Sequence, residues 1–329
     1  MNPDKIIDAD LTNWDISIRN EDLAYWIALN SVRDRSTIDI VKAMIRESVP
    51  VHYLWQENVD HLAEKHHVNL ESLKKLRVRF GKIHFQNILN DLGRMIGEGI
   101  RVVPITDPKF PKKLEYRSIV SHPTPLVMLE KGAEVNVDRA IAIVGTRNPS
   151  LKGRFSALEL AENFAGKGYV VISGLARGVD EFAHVGAMKH PDGLTIGVLP
   201  WLGSIYPPEH ESLAEDITKK GMLISDVYAI SIPFGNKSRF IERNAIISGL
   251  SDFVVAIETD EEGGTIRAAE IAIKQGVKVY ALHIGGNPRS ERGYKKLIQM
   301  GAIGFDNITE LEGLISDSKS QQGSLSADV

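Results

Sequence analysis

Residues 141–150 read IAIVGTRNPS. Ile141, Ala142, Ile143 and Val144 form an unbroken apolar run, and Gly145, Thr146, Arg147, Asn148, Pro149 and Ser150 then supply turn chemistry. A short apolar run stopped by glycine reads as a buried strand feeding a helix. In α/β proteins the carboxyl ends of such strands are where ligands bind. Arg147 on that turn therefore points to an anionic partner. The alternative is a surface arginine that solvates a loop.

The same rhythm continues downstream. Strands are expected at 140–144, 169–173, 195–199, 222–226, 252–257 and 278–282. Amphipathic stretches such as RFSALELAENFAGKG and GTIRAAEIAIKQG fall between them. Strands that are apolar throughout are buried on both faces. Their alternation with helices predicts an extended Rossmann-like fold, a doubly wound and mostly parallel sheet. One more helix is expected near 291–300, and the polar segment 316–329 reads as a disordered tail. Upstream, LAYWIALNSV, VDHLAEKHHVNLESLKKL and IHFQNILNDLGRMIGEGI space their apolar residues at three and four. Residues 1–100 therefore read as a small helical domain. Residues 101–139, with RVVPITDPKFPKKL and PLVMLEKG, read as a connecting segment with short strands, and 140–315 as the Rossmann-like domain.

Composition narrows the function classes. The chain has 329 residues, 43% hydrophobic and 25% charged, the profile of a soluble globular protein. A formal net charge of −4 means that any nucleic-acid contact must be a local patch. There is no cysteine, which removes disulfides, thiolate catalysis and thiolate-bound zinc. MNPDKIIDAD has no apolar signal region, and no apolar run is long enough to span a bilayer. A cytoplasmic protein with no membrane partner is the expectation.

Several strand ends carry candidate functional groups. SGLARGVDEFAH sets Gly174 and Gly178 around Arg177 where a helix begins, and a helix N-terminus favours phosphate. Asp180 and His184 share a helix face, as an acid/base pair or as a packing clasp. Trp201 and Tyr206, in LPWLGSIYPPEH, either stack on bases or pack their loop down. Ser225 and Asp226 close the fourth strand. GNKSRFIERNAIISGLSD crowds Lys237, Arg239 and Arg243 around Phe240. Cations interleaved with an aromatic grip a phosphate backbone and stack a base; the alternative is a solvated helix start with Phe240 as a core anchor. Gly263, Gly264 and Thr265 open a helix and offer another anion seat. There is no G-x-G-x-x-G after the first strand and no G-x-x-x-x-G-K-[ST], which argues against ordinary NAD binding and P-loop ATP hydrolysis. G-x-S-x-G is likewise missing, and His66 and His67 lack metal-ligand spacing. No cofactor and no metal are expected.

Taken in order, VGTRNPS, VISGLARGVDEFAHVGAM, TIGVLPWLGSIYPPEHESL, LISD, FIERNAIISGLSDFVVAIET and GGTIRAAEIAIKQGVKVYAL resemble the DNA-processing protein A (DprA/Smf) family over most of 105–305. The resemblance implies a Rossmann-like, non-catalytic protein that binds single-stranded DNA, loads a RecA-type recombinase during DNA processing or natural transformation, and acts as a homodimer. Carried over by position, the DNA pocket involves Gly145, Arg147, Lys237, Phe240, Arg243 and Asn244, completed by turns at Gly174, Gly178 and Gly264. Thr146, Ser150, Arg177 and Thr265 join it from the same turns. Arg147 and Lys237 are expected to take phosphates and Phe240 to stack a base, while Arg243 and Asn244 take phosphate or shape the wall. The sequence departs from the family at Ala245, where a second arginine is usual, at Gly263–Thr265, and at Lys295. The competing reading is a nucleotide-derivative sensor or a phosphoribohydrolase-type enzyme. Such families carry a G-G-x-G-T-x-x-E turn, only partly matched by EEGGTIRAAE, with Glu258 and Asp260 as candidate carboxylates.

Overall fold

A computed structural model describes residues 20–228 and 237–325, with side chains at 21–228 and 238–318. The chain divides into two compact units.

The first unit comprises residues up to Gly132 with Pro200–Ser204 and Ile224–Gly235. Its described elements are α1 (Asn20–Ser31), α2 (Arg35–Arg46), α3 (Tyr53–Gln56), α4 (Val59–Lys65), α5 (Leu70–Phe80), α6 (Phe85–Gly97), β1 (Ile100–Pro104), α7 (Lys113–Tyr116) and β2 (Val127–Gly132). Side-chain caps start three of the helices: Asp34, Asn58 and Asn69 accept the backbone N–H of Thr37, Asp60 and Ser72. β1 pairs antiparallel with β2, and both pack against α1. Both strands fall in the same compact unit as the helices. Asn30 binds this unit together: its Nδ2 donates to the Asp226 carbonyl (2.6 Å) and its Oδ1 accepts from the Leu126 N–H (2.9 Å). Asp226 is buried and ion-paired with Arg33 at 2.5 Å. Ser225, also buried, accepts the Val227 N–H. Asp226 thus ties this unit together, while Ser225 fixes the local turn.

The second unit runs over Ala133–Leu199, Ile205–Leu223 and Asn236–Val329. From Ala140 onward the chain forms β3 (Ala140–Gly145), α8 (Leu151–Gly166), β4 (Val170–Ser173), α9 (Val179–Lys189), β5 (Thr195–Val198), α10 (Glu211–Lys220), β6 (Met222–Ser225), α11 (Lys237–Leu250), β7 (Phe253–Ile257), α12 (Gly264–Lys274), β8 (Lys278–Leu282), α13 (Pro288–Gln299), β9 (Ile303–Phe305) and α14 (Ile308–Leu325). The unit division falls within β6. Among the described residues of this unit, six strands run parallel in the order β5-β4-β3-β7-β8-β9. The chain winds outward from β3 in both directions, so the crevice between β3 and β7 is the topological switch point.

The reason for this arrangement is written in the strands. All residues of β4, β5 and β7 are buried, which requires helices on both faces. On one face Ile141, Ile143, Val171, Val255 and Tyr280 meet Leu160, Phe164, Ala183 and Leu311. Small residues let α8 and α9 approach closely; a Cβ on Gly186 would lie 2.3 Å from the Leu158 carbonyl oxygen. α14 continues to Leu325 and so covers part of the segment expected to be disordered; residues 326–329 lie outside the described residues.

Candidate functional site at the strand ends

β3 ends at Gly145 because no side chain fits there. A Cβ would fall 2.1 Å from the Ile257 carbonyl oxygen on neighbouring β7. Thr146 then fixes the turn. Its N–H donates to the Glu258 carbonyl (2.9 Å), its carbonyl accepts from Val179 (3.2 Å), and its hydroxyl accepts from Asn148 (3.2 Å). Arg147 is left exposed on a backbone held from three sides.

Two turns frame it. On one side, Ser150 caps α8 by accepting the Gly153 N–H at 3.1 Å. The Ser150 N–H donates to Glu258 Oε2 (2.7 Å), whose other oxygen accepts the Ser290 hydroxyl (3.3 Å). Glu258 is buried at a left-handed φ of 45°. The anion seat of α8 is therefore filled by a carboxylate of the chain itself. On the other side, Asp180 accepts the N–H groups of Gly174 (3.1 Å) and Ala176 (3.4 Å). Gly178, at φ 80°, leaves no room for a Cβ, which would sit 2.6 Å from the Thr146 carbonyl oxygen. The 174–178 turn is thus packed directly onto the Arg147 turn.

Arg243 closes the back wall. It is buried, its Nη1 donates to the Val198 carbonyl (3.0 Å), and a Cβ on Gly174 would fall 1.6 Å from that nitrogen. Burial draws its pKa down against the opposing charge of Asp180. Burial pushes Asp180 up, opposed by Arg243 and the two backbone N–H groups. Of the two readings of Asp180 and His184, the geometry fits packing and not an acid/base pair: Asp180 holds the turn, while His184 hydrogen-bonds Thr195 (2.7 Å). Thr195 donates its own proton to Val171, so it accepts from His184 Nδ1. Burial first, then the charges of His210 and Arg243, push His184 down to about 3.

Between these walls lies a cleft lined by Arg147, Gly174, Ala176, Arg177, Tyr206, Pro207, Phe240 and Arg243. Phe240 is half-buried and meets Tyr206 edge to face, with ring centroids 5.5 Å apart and an interplanar angle of 69°. The Arg147 guanidinium lies 5.9 Å from the Phe240 centroid. Arg147 has no carboxylate partner among the described residues. Arg177 is exposed and paired with Glu209. An exposed cation, a ring edge and a buried cation around one cleft suit a phosphate with an unstacked base beside it.

The sequence-derived residues divide accordingly. Arg147, Gly174, Arg177, Phe240 and Arg243 line the cleft; Gly145, Thr146 and Gly178 build its floor; Ser150 caps the adjoining helix. Gly264 and Thr265 do not reach it. They start α12 beyond the Glu258 turn, and Thr265 is buried in that helix's packing. Asn244 lies one residue past Arg243 on α11 and does not line the cleft. Arg239 pairs with Glu242 and is not on the cleft wall either. Lys237 is the first residue of α11, and its side chain lies outside the described residues. Trp201 is buried and donates to Ser204 (2.9 Å), whereas Tyr206 is a wall of the cleft. Sequence reasoning missed Pro207, Ala176 and the capping role of Glu258. Only Gly174 and Gly178, two residues to either side of Ala176, gave any local signal.

The model of the family described as DNA recombination-mediator protein A matches residues 101–315. The chain belongs to that family. Curated relatives carry its DprA and Smf names. The DNA processing protein DprA of Bacillus subtilis is 36% identical over 208 residues, covering 62% of this chain and 68% of that protein. The protein Smf of Escherichia coli is 36% identical over 179 residues, covering 54% of this chain and 46% of that protein, so the match spans about half of that relative. The crystal structure of DprA from Streptococcus pneumoniae superposes with a TM-score of 0.69 over 89% of this chain and 96% of that one, at 21% identity. A structure of DprA from Helicobacter pylori, described for its single-stranded DNA binding mode, gives a TM-score of 0.57 over 66% of this chain and 96% of that one, at 27% identity. Among the described residues no helix is long and apolar enough to cross a membrane.

Proposed function

We propose that the chain is a non-catalytic single-stranded DNA-binding protein of DNA processing. In this reading Arg147 holds a backbone phosphate at the cleft mouth and Phe240 receives a base. The observation that carries it is Arg147, exposed, without a carboxylate partner among the described residues, and set over the Phe240 ring at the carboxyl end of β3. The single-stranded DNA binding described for the H. pylori relative supports the same reading. Lys237, Gly264 and Thr265 remain candidates by family position, on a longer strand path. A RecA-type recombinase and a second copy of the chain are the partners that the family implies.

The competing hydrolase reading loses its main carboxylate. Glu258 is occupied in capping α8 and receiving Ser290, and Glu270, the glutamate that ends EEGGTIRAAE, is exposed and paired with Lys274.

The test is competition between a labelled single strand and a matched duplex. The single strand should be preferred, and affinity should fall steeply with salt because phosphate contacts release counterions. Equal binding of both forms, or release of free base from a nucleoside monophosphate, would contradict the proposal.

A further inference from the structure

Four residues beyond Arg147, the first two turns of α8 leave Leu151 and Phe155 at 71% and 69% exposure. Among the described residues they are the most exposed large apolar side chains of the second unit. They stand at i and i+4, on one helix face and about 6 Å apart along the axis. The helix does not need them for packing, since Gly153, Ala157, Leu160 and Phe164 face the core. Single exposed apolar residues are ordinary. This pair differs in what surrounds it.

Lys152 and Arg154 are exposed, and at 3.6 residues per turn they flank the Leu151–Phe155 face on either side. Lys152 Nζ donates to the Ile284 carbonyl (2.9 Å) and Arg154 Nε to the Pro149 carbonyl (3.3 Å). Arg154 also lies 5.8 Å from the Phe182 centroid. These are neutral partners, so neither charge has a carboxylate partner among the described residues. Together with Arg147 they make three such cations within residues 147–154, on a chain whose formal net charge is −4. An exposed ring and an exposed aliphatic side chain interleaved with cations, starting four residues of chain beyond Arg147 on the cleft rim, form a track for an unpaired strand.

We propose that this face of α8 is a second subsite for the single strand leaving the Arg147 cleft. Phe155 stacks a base with Leu151 beside it, and Lys152 and Arg154 hold the adjoining phosphates. The inference rests on the DNA-binding reading of the cleft. Charge and continuity with the cleft commit the occupant to nucleic acid.

The test uses oligothymidylates of about six and about twenty nucleotides, within and beyond the span of one binding module. Affinities are read by anisotropy for the intact protein, Phe155→Ala, Phe155→Trp and Arg147→Ala. Phe155→Ala should bind the short strand as the intact protein does and the long strand about tenfold more weakly, while Phe155→Trp keeps both affinities. Unchanged long-strand affinity in Phe155→Ala overturns the inference. An equal loss on both lengths overturns it too, because Phe155 would then serve the cleft or the fold. So does a changed oligomeric state of Phe155→Ala on size exclusion, which would make this a protein-contact face. If the intact protein binds neither strand, the cleft reading itself fails, and the subsite with it.

Discussion

Arg243 occupies the space that any side chain at position 174 would need: a Cβ on Gly174 falls 1.6 Å from its Nη1 and 2.4 Å from its Cζ. The glycine is there for a neighbour's guanidinium and not for its own backbone. Its partner in turn is anchored to the Val198 carbonyl and faces the buried Asp180.

Gly174→Ala should therefore cost about 1–3 kcal/mol, the range for overpacking a filled interior. The cost should be strongly non-additive with Arg243→Ala, because the second change removes the group that the methyl strikes. Urea denaturation of both single variants and the double variant measures the coupling. Additive costs would show that the two residues do not share this space.

Glu258→Ala removes the acceptor of the Ser150 N–H and of the Ser290 hydroxyl. A lost helix cap with two part-buried donors left unpaired should destabilise the protein by about 1–3 kcal/mol. A catalytic carboxylate held under strain would behave oppositely, since its removal commonly stabilises the fold. The urea midpoint of Glu258→Ala against the intact protein decides between them.

His184 gives the fold a pH dependence of definite sign. Its folded pKa lies near 3, below the ordinary 6.5, so the unfolded chain binds the proton more readily. Its contribution is fully present above pH 6.5 and is lost as the pH falls toward 3. The slope from this residue is about 1.4 kcal/mol per pH unit. Stability at pH 5.5 should therefore fall below that at pH 7.5, and His184→Gln should flatten the difference. An unchanged difference in that variant would mean that other groups carry it.

The strands were legible because burial on both faces leaves nothing polar in FVVAI and only the closing Ser173 in VVIS. β9 was not: Ile303–Gly304–Phe305 is three residues long with glycine at its centre, and Gly304 is needed because Tyr294 Oη would lie 2.2 Å from a Cβ. Arg147 and Phe240 were found because a cation and an aromatic at a strand end have a chemistry independent of their neighbours. Gly264 and Thr265 looked equivalent because every βα turn in such a fold uses the same helix-start residues; only topology sets α12 apart from the cleft. The role of Glu258 spans 108 residues of chain to Ser150, a separation over which local pattern carries no information.

Within the cleft the cations should separate by how they are held. Arg177→Ala should weaken DNA binding less than Arg147→Ala, because Arg177 is paired with Glu209 and Arg147 has no such partner among the described residues. Phe240→Ala should cost about 1–3 kcal/mol of binding free energy, the value of one base–aromatic stack. Anisotropy at fixed salt with a short single strand measures both. Equal losses at Arg147 and Arg177 would show that pairing with Glu209 does not restrain the second cation.

The most direct measurement of the central claim is the salt dependence of single-strand affinity for the intact protein and for Arg147→Ala. A phosphate contact at Arg147 predicts weaker binding in the variant at low salt and a log–log salt slope smaller by about one. Identical affinity and slope in the two proteins would show that Arg147 holds no phosphate, and the reading of the cleft would be wrong.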